Sequence, residues 1–166
     1  MILLLSGVSA AGKSTLGAHL ASEHGFLHFD MERPVTWPCP ELHSVWTNSR
    51  TEFVARLRQL PQSVVLDWGF HPKFLSWALE LQRCGVRLVW LEGDVEFSRQ
   101  SFQKRNLRLG LPSDAGMADF DRQSTAITTA GLPGSPGFEI VEAFDDKGNL
   151  VVLDNPESLA GVILRE

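Results

Sequence analysis

Cysteine is nearly absent from this sequence: Cys39 and Cys84 are the only two in 166 residues, and their spacing is neither paired nor metal-like. That excludes a disulfide-stapled scaffold and a thiolate zinc site, and it fits a reducing compartment with both thiols structural. Long apolar runs are missing too. The apolar start, Met1-Ile-Leu-Leu-Leu5, has no basic flank and stops at Ser6-Gly7. It is too short for a signal-peptide core and far too short for a membrane span. The expectation is a buried first strand in a cytoplasmic protein with no membrane partner. A basic excess is also lacking. The formal net charge is -5, with 12 Lys/Arg and 10 Asp/Glu in residues 1–112 against 3 and 10 in residues 113–166. Nothing here resembles the broad basic surface of nucleic-acid binders, which argues against that partner class. No internal period of a solenoid kind exists.

What is present suits a packed domain. Hydrophobic residues make up 43% and charged residues 21%, too rich a core and too little charge for disorder. The length suits a single domain spanning 1–166. Ile2–Leu5, Phe26–Phe29, Val64–Leu66 and Val86–Leu91 read as strands; the first and third are continuously apolar and the fourth is apolar but for Arg87, as strands buried on both faces of a parallel sheet are. Helices are expected over 13–24, 50–60, 73–84 and 95–109. Ser49-Arg-Thr-Glu52 offers a capping box and Gly85 and Gly110 offer C-caps. Alternation of strand and helix predicts right-handed crossovers and an α/β fold, a three-layer α/β/α sandwich with a mostly parallel central sheet. Beyond Gly110, residues 111–117 read as loop and 119–130 as helix. Gly131-Leu-Pro-Gly-Ser-Pro-Gly137 is a break. Phe138–Phe144 and Leu150–Leu153 flank a turn, Asp145-Asp-Lys-Gly-Asn149, as in a β-hairpin, and a last helix is expected over 156–164. The irregular stretch 31–48 is long enough to shape a ligand site.

Gly7-Val-Ser-Ala-Ala-Gly12-Lys13-Ser14 carries the chemistry. It fits G-x-x-x-x-G-K-[ST] and lies between a strand and a helix, as a phosphate-binding loop must. Its glycines let the backbone curl until successive N–H groups face phosphate oxygens, and the helix N-terminus adds its positive dipole end. Gly7, Ser9, Ala10, Ala11, Gly12, Lys13, Ser14 and Thr15 are therefore assigned to a nucleoside triphosphate. Lys13 reaches the β/γ-phosphates and the Ser14 hydroxyl ligates magnesium. The pattern excludes a GTPase, since Asn-Lys-x-Asp is absent and the one Asp-x-x-Gly, Asp145–Gly148, falls in the late turn. RecA-like and AAA+ motors need more chain.

Phe29-Asp30-Met-Glu-Arg33 resembles the Asp-x-x-Arg of nucleotide and polynucleotide kinases. Val65-Leu-Asp67-Trp-Gly-Phe70 resembles the third-strand acidic motif of the small P-loop phosphotransferases related to chloramphenicol phosphotransferase and zeta toxins. Trp90-Leu-Glu-Gly-Asp94 with Arg105 resembles the fourth strand and following helix of gluconate-kinase-like enzymes. The chain departs from the arginine pair spaced by four that precedes the lid there: the first partner position is Ser101, with Arg99 two residues earlier. The resemblance covers residues 1–110 and implies a nucleotide-kinase-like P-loop fold, ATP as co-substrate with Mg2+, a lid-like segment at 106–131 and a substrate segment at 31–48.

The residues then take roles. Asp30 is assigned as the base that accepts a proton from a substrate hydroxyl, with Asp67 as the alternative. Asp67 is otherwise assigned to magnesium, because a carboxylate ending an apolar strand needs a cation. Arg33, Trp68 and His71 are assigned to the substrate, and Trp37 and Trp46 to packing. Among Arg99, Arg105 and Arg108 on one helix, Arg105 is chosen to neutralise charge on the transferred phosphoryl group. The five histidines, 19, 24, 28, 43 and 71, show no metal-ligand spacing. The activity expected is transfer of the γ-phosphoryl group of ATP to a hydroxyl of a small molecule. The alternatives are a nucleoside monophosphate kinase and a nucleotide-binding switch that hydrolyses ATP slowly.

Overall fold

Unbroken apolar strands must be covered on both faces, and the fold covers them. In the computed structural model, which describes residues 1–111, 113–135 and 137–165, β1 (Ile2–Gly7) and β3 (Val64–Asp67) are buried at every residue. With β2 (Leu27–Asp30), β4 (Arg87–Glu92) and β5 (Phe138–Glu142) they form one sheet in the order β2-β3-β1-β4-β5. Every pairing is parallel. The chain first moves outward from β1 to β2, returns through β3, then crosses β1 to reach β4. In such a sheet the crevice at the carboxyl ends, where the order reverses, is where ligands sit.

Helices cover both faces. α1 (Lys13–His24) lies against β2 and β3 and packs on α7 (Val151–Asp154) and α8 (Pro156–Ile163). α2 (Leu42–Asn48), α3 (Arg50–Leu57) and α4 (Leu75–Arg83) pack together around an aromatic layer. There Phe29 meets Trp37 at 5.3 Å, and Trp46 meets Phe53, Trp68 and Trp77 at 5.3, 5.3 and 5.6 Å between ring centroids. Edge-on geometry of this kind adds about 0.5–1.5 kcal/mol per pair beyond burial. The expected caps form: Ser49 accepts the Glu52 N–H, and Gly110 ends α5 (Val95–Leu109) in the left-handed conformation. α6 (Ser113–Thr129) returns antiparallel along α5 and is joined to it by Phe102 on Phe120 at 5.2 Å and by Arg99 to Asp121 at 3.1 Å. No described helix is long and apolar enough to cross a membrane.

Three expectations are corrected. Residues 113–117 are helix rather than loop, continuous with a helix that buries Met117 and packs Phe120 on Phe102 of α5; Pro112 lies outside the described residues, as does Pro136 in the break after α6. The stretch 31–48 contains one 3-10 turn (Pro34–Thr36) and α2. The late hairpin reduces to one antiparallel bridge, Phe144 with Leu150. Phe138–Glu142 instead joins the sheet parallel to β4, and Val151–Asp154 is helical. A four-residue apolar run does not separate strand from helix by period; here the helix carries Val152 against Gly12 of the phosphate loop.

Candidate active site at the phosphate loop

Backbone conformation builds this site before any side chain does. Gly7 (φ +141°) leaves β1 so close to β4 that a Cβ would stand 2.5 Å from the Leu91 carbonyl oxygen. Gly12 (φ +88°) caps α1, and a Cβ there would strike Val152 Cγ1 at 2.5 Å. Ala10, between them, is the one non-glycine with positive φ among the described residues, at +64°. Positive φ at Ala10 and again at Gly12 curls the loop just before the helix start, the kind of backbone from which anion nests are built. The Ser9 hydroxyl donates to Gln123 Oε1 at 3.2 Å, tying the loop to α6. Ser14 and Thr15 stay exposed at the mouth.

Lys13 is buried, and its ammonium donates to the Gly7 and Val8 carbonyl oxygens at 3.2 and 2.9 Å. Burial lowers its pKa; Asp67 and Glu32 oppose that, Arg105 adds to it, and Asp30 opposes it weakly. These five groups therefore share one electrostatic environment, drawn from α1, β2 and the turn after it, β3 and α5. Asp67 is 4% exposed and its Oδ2 has no hydrogen-bond partner. The cationic candidate within 4 Å of it is His28, whose Nε2 lies 3.6 Å away and accepts or donates no hydrogen bond. Two buried orphan atoms side by side are costly, and a carboxylate in that condition fits a cation.

Asp30 pairs in register with Asp67, so both leave the sheet on the face of α1. Its Oδ1 accepts the Glu32 N–H at 3.0 Å, its carbonyl accepts the Trp37 indole N–H at 2.6 Å, and its Oδ2 lies 3.8 Å from Arg33 Nε. Arg33 is otherwise extended into solvent. Trp68 is packed into the aromatic layer, against Phe70 at 4.9 Å as well as Trp46. His71 is exposed, and its Nδ1 accepts the Lys73 N–H at 3.2 Å, capping a 3-10 turn. The three arginines of α5 separate. Arg99 is held by Asp121, and Arg108 is exposed near the helix end. Arg105 stacks on Phe102 at 4.6 Å; partial burial lowers its pKa, Glu32 opposes that and Arg33 adds to it.

The structure adds three residues that sequence reasoning passed over. Glu32 faces Lys13 across Gly69: a Cβ on Gly69 would lie 3.2 Å from both Glu32 Oε1 and Lys13 Nζ. His28 sits two residues before Asp30 on the same strand face, a period-2 signal that was available. Gly17 makes room for its ring, since a Cβ there would meet Nε2 at 2.5 Å. Arg50 is buried between Trp46 and Trp77, its guanidinium 5.3 and 4.1 Å from their ring centroids, with Nη1 unpartnered; only tertiary packing brings these together.

No protein-family model matches the chain, and no curated protein matches it either. Solved structures do resemble it in fold. Shikimate kinase from Acinetobacter baumannii, in complex with shikimate, is 18% identical over 98% of this chain and 92% of that one, with a TM-score of 0.58. A gluconokinase from Sinorhizobium meliloti 1021 is 16% identical over 97% and 90%, at 0.55. Deoxyadenosine kinase from M.mycoides with bound dATP is 14% identical over 99% and 100%, at 0.52. The chain thus has the α/β fold of small P-loop kinases, in agreement with the resemblance seen in its motifs.

Proposed function

We propose that this chain is an ATP-dependent phosphotransferase that moves the γ-phosphoryl group to a hydroxyl of a small molecule. The observation that carries the reading is the buried Lys13, electrostatically coupled to a buried Asp67 whose Oδ2 accepts no hydrogen bond, at the end of a loop with positive φ at Gly7, Ala10 and Gly12. In this reading the loop from Gly7 to Thr15 holds the triphosphate. The Lys13 ammonium leaves the Gly7 and Val8 carbonyls for phosphate oxygens. Asp67 Oδ2 and the Ser14 hydroxyl are the atoms that would hold Mg2+, which when bound neutralises charge on the β- and γ-phosphates.

The acceptor oxygen attacks the γ-phosphorus, the bond to the β-phosphate oxygen breaks, and ADP leaves. The proton released by the hydroxyl goes to Asp30 Oδ2, the oxygen its own turn leaves less engaged; Asp67 is the alternative acceptor. Arg105 neutralises charge spreading over the equatorial oxygens. The segment 106–131, tied to the loop through Ser9 and Gln123, acts as the lid. Of the residues assigned to the substrate, Arg33 beside Asp30 is the one left free for the acceptor side, since Trp68 is packed among aromatic rings and His71 caps its own turn.

The test is ADP release screened across sugars, antibiotics, nucleosides and nucleoside monophosphates. One acceptor class should raise turnover, and Lys13→Ala should lower the stimulated rate by about a hundredfold or more. If no acceptor raises the rate above the basal one, the kinase reading fails in favour of a slow regulatory ATPase. If nucleoside monophosphates alone raise it, the acceptor is a phosphate and the reading moves to a monophosphate kinase. Stimulated turnover that survives Asp30→Asn would transfer the base role to Asp67.

A further inference from the structure

The far end of α1 gathers a second group of potential ligands that the phosphate site does not use. His19 and His24 are five residues apart, a spacing that seldom signals a metal pair. Tertiary packing overrides that. The helix ends at Gly25 in the left-handed conformation, the two rings meet edge-on at 5.6 Å, and α8 brings the Glu157 carboxylate between them. Glu157 Oε2 lies 3.2 Å from His19 Nε2 and 3.1 Å from His24 Nε2. All three ligand atoms lie within 4.8 Å of one another.

We propose that His19, His24 and Glu157 form a Zn2+ site that joins α1 to α8. Tetrahedral zinc with bonds of about 2.0–2.1 Å has donor–donor edges of about 3.4 Å, close to the two nitrogen–oxygen separations seen here. Two imidazoles and one carboxylate are borderline donors that suit zinc better than calcium or magnesium. Three protein ligands leave the fourth position to water, and the half-exposed setting leaves an entry path. Glu157 sits in the first turn of α8, whose N-cap Asn155 and N1 Pro156 hold the backbone in place. His19 follows Lys13 by six residues, about 9 Å along the axis, so this site is separate from the nucleotide cleft.

The metal would fasten the last helix to the helix that begins at the phosphate loop. The experiment uses the full chain stripped of metal, in a Cys39→Ser/Cys84→Ser background that removes thiol ligands. Zn2+ alone is titrated against a chromophoric zinc chelator. One equivalent per chain is expected, with Kd weakened about tenfold or more by His24→Asn and by Glu157→Gln. Both variants lie on the surface, and their unfolding midpoints without metal should match the parent. In NMR spectra of the histidine rings, Zn2+ should move the Nε2 signals of His19 and His24 and leave those of His28, His43 and His71. Absent uptake, uptake unchanged by either substitution, or movement of the other three rings instead would each overturn the site.

Discussion

The first two-thirds of the chain and the acidic remainder treat charge in opposite ways. Around β1, α1 and β3, charged groups are buried and left incompletely partnered: Lys13 leans on two carbonyls, and Asp67 and His28 present orphan atoms to each other. Toward the C-terminus, charges are exposed and paired. Glu139 takes Arg87 through two hydrogen bonds of 2.5 Å, Asp119 takes Arg122, and Asp145 folds its own turn through Lys147 and Asn149. Exposed pairs contribute little, about 0–1 kcal/mol, whereas a buried unpaired charge is expensive enough to need a reason. The difference separates charges that pair on the surface from the buried ones that the proposed phosphotransfer would use.

The sharpest way to break that contrast is Asp67→Asn, which keeps the shape and removes the buried charge. Turnover should fall by about a hundredfold or more. The unfolding free energy in urea should shift by no more than about 1 kcal/mol, because the lost desolvation penalty and the lost attraction to Lys13 offset each other. A large loss of stability with turnover retained would make Asp67 structural instead.

Gly17→Ala comes next. Alanine in a helix interior gains about 1 kcal/mol over glycine. The new Cβ, however, meets His28 Nε2, and overpacking of this kind costs about 1–3 kcal/mol. A net loss is expected in the parent, read as a fall in Tm. The same substitution in a His28→Ala background should stabilise. Equal effects in both backgrounds would show that the ring does not fill that space.

A smaller effect lies where β4 and β5 end, with Glu92 and Glu142 in register. Partial burial, then the Glu142 charge, raises the Glu92 pKa. The ionised group therefore opposes folding, fully above its folded pKa and not at all below its unfolded one. Glu142→Gln should stabilise by less than about 1 kcal/mol at neutral pH. That gain should shrink as pH falls through the range just above the ordinary glutamate value. A gain independent of pH would remove the charge explanation. Smallest is Arg99→Ala, an exposed pair across α5 and α6, expected to lower the urea midpoint slightly at low salt and by less at high salt.

Much of the site was legible because it is local. The phosphate loop is eight consecutive residues whose glycines are demanded by backbone angles, and the strands announce burial by unbroken apolar runs. Asp30 and Asp67 were legible as strand-ending carboxylates. Glu32 was not, because no pattern distinguishes an exposed glutamate in a turn from one that faces Lys13 across Gly69. The His19–His24 pair was hidden by its spacing, and Glu157 by the 133 residues that separate it from His24. The late turn was read correctly at Asp145–Asn149, where side chains cap their own backbone. The segment after it was misread, because its partner is Gly12 and not a neighbouring strand.

By itself, then, the sequence determined the parallel α/β core and the curl of the Gly7–Ser14 loop, since both follow from short-range patterning and steric rules. Only the tertiary structure decided which charges stand together: Asp67 with His28 and Lys13 at one end of α1, Glu157 with His19 and His24 at the other. Strand register and helix docking set those distances, and both are solved by burying the whole core at once.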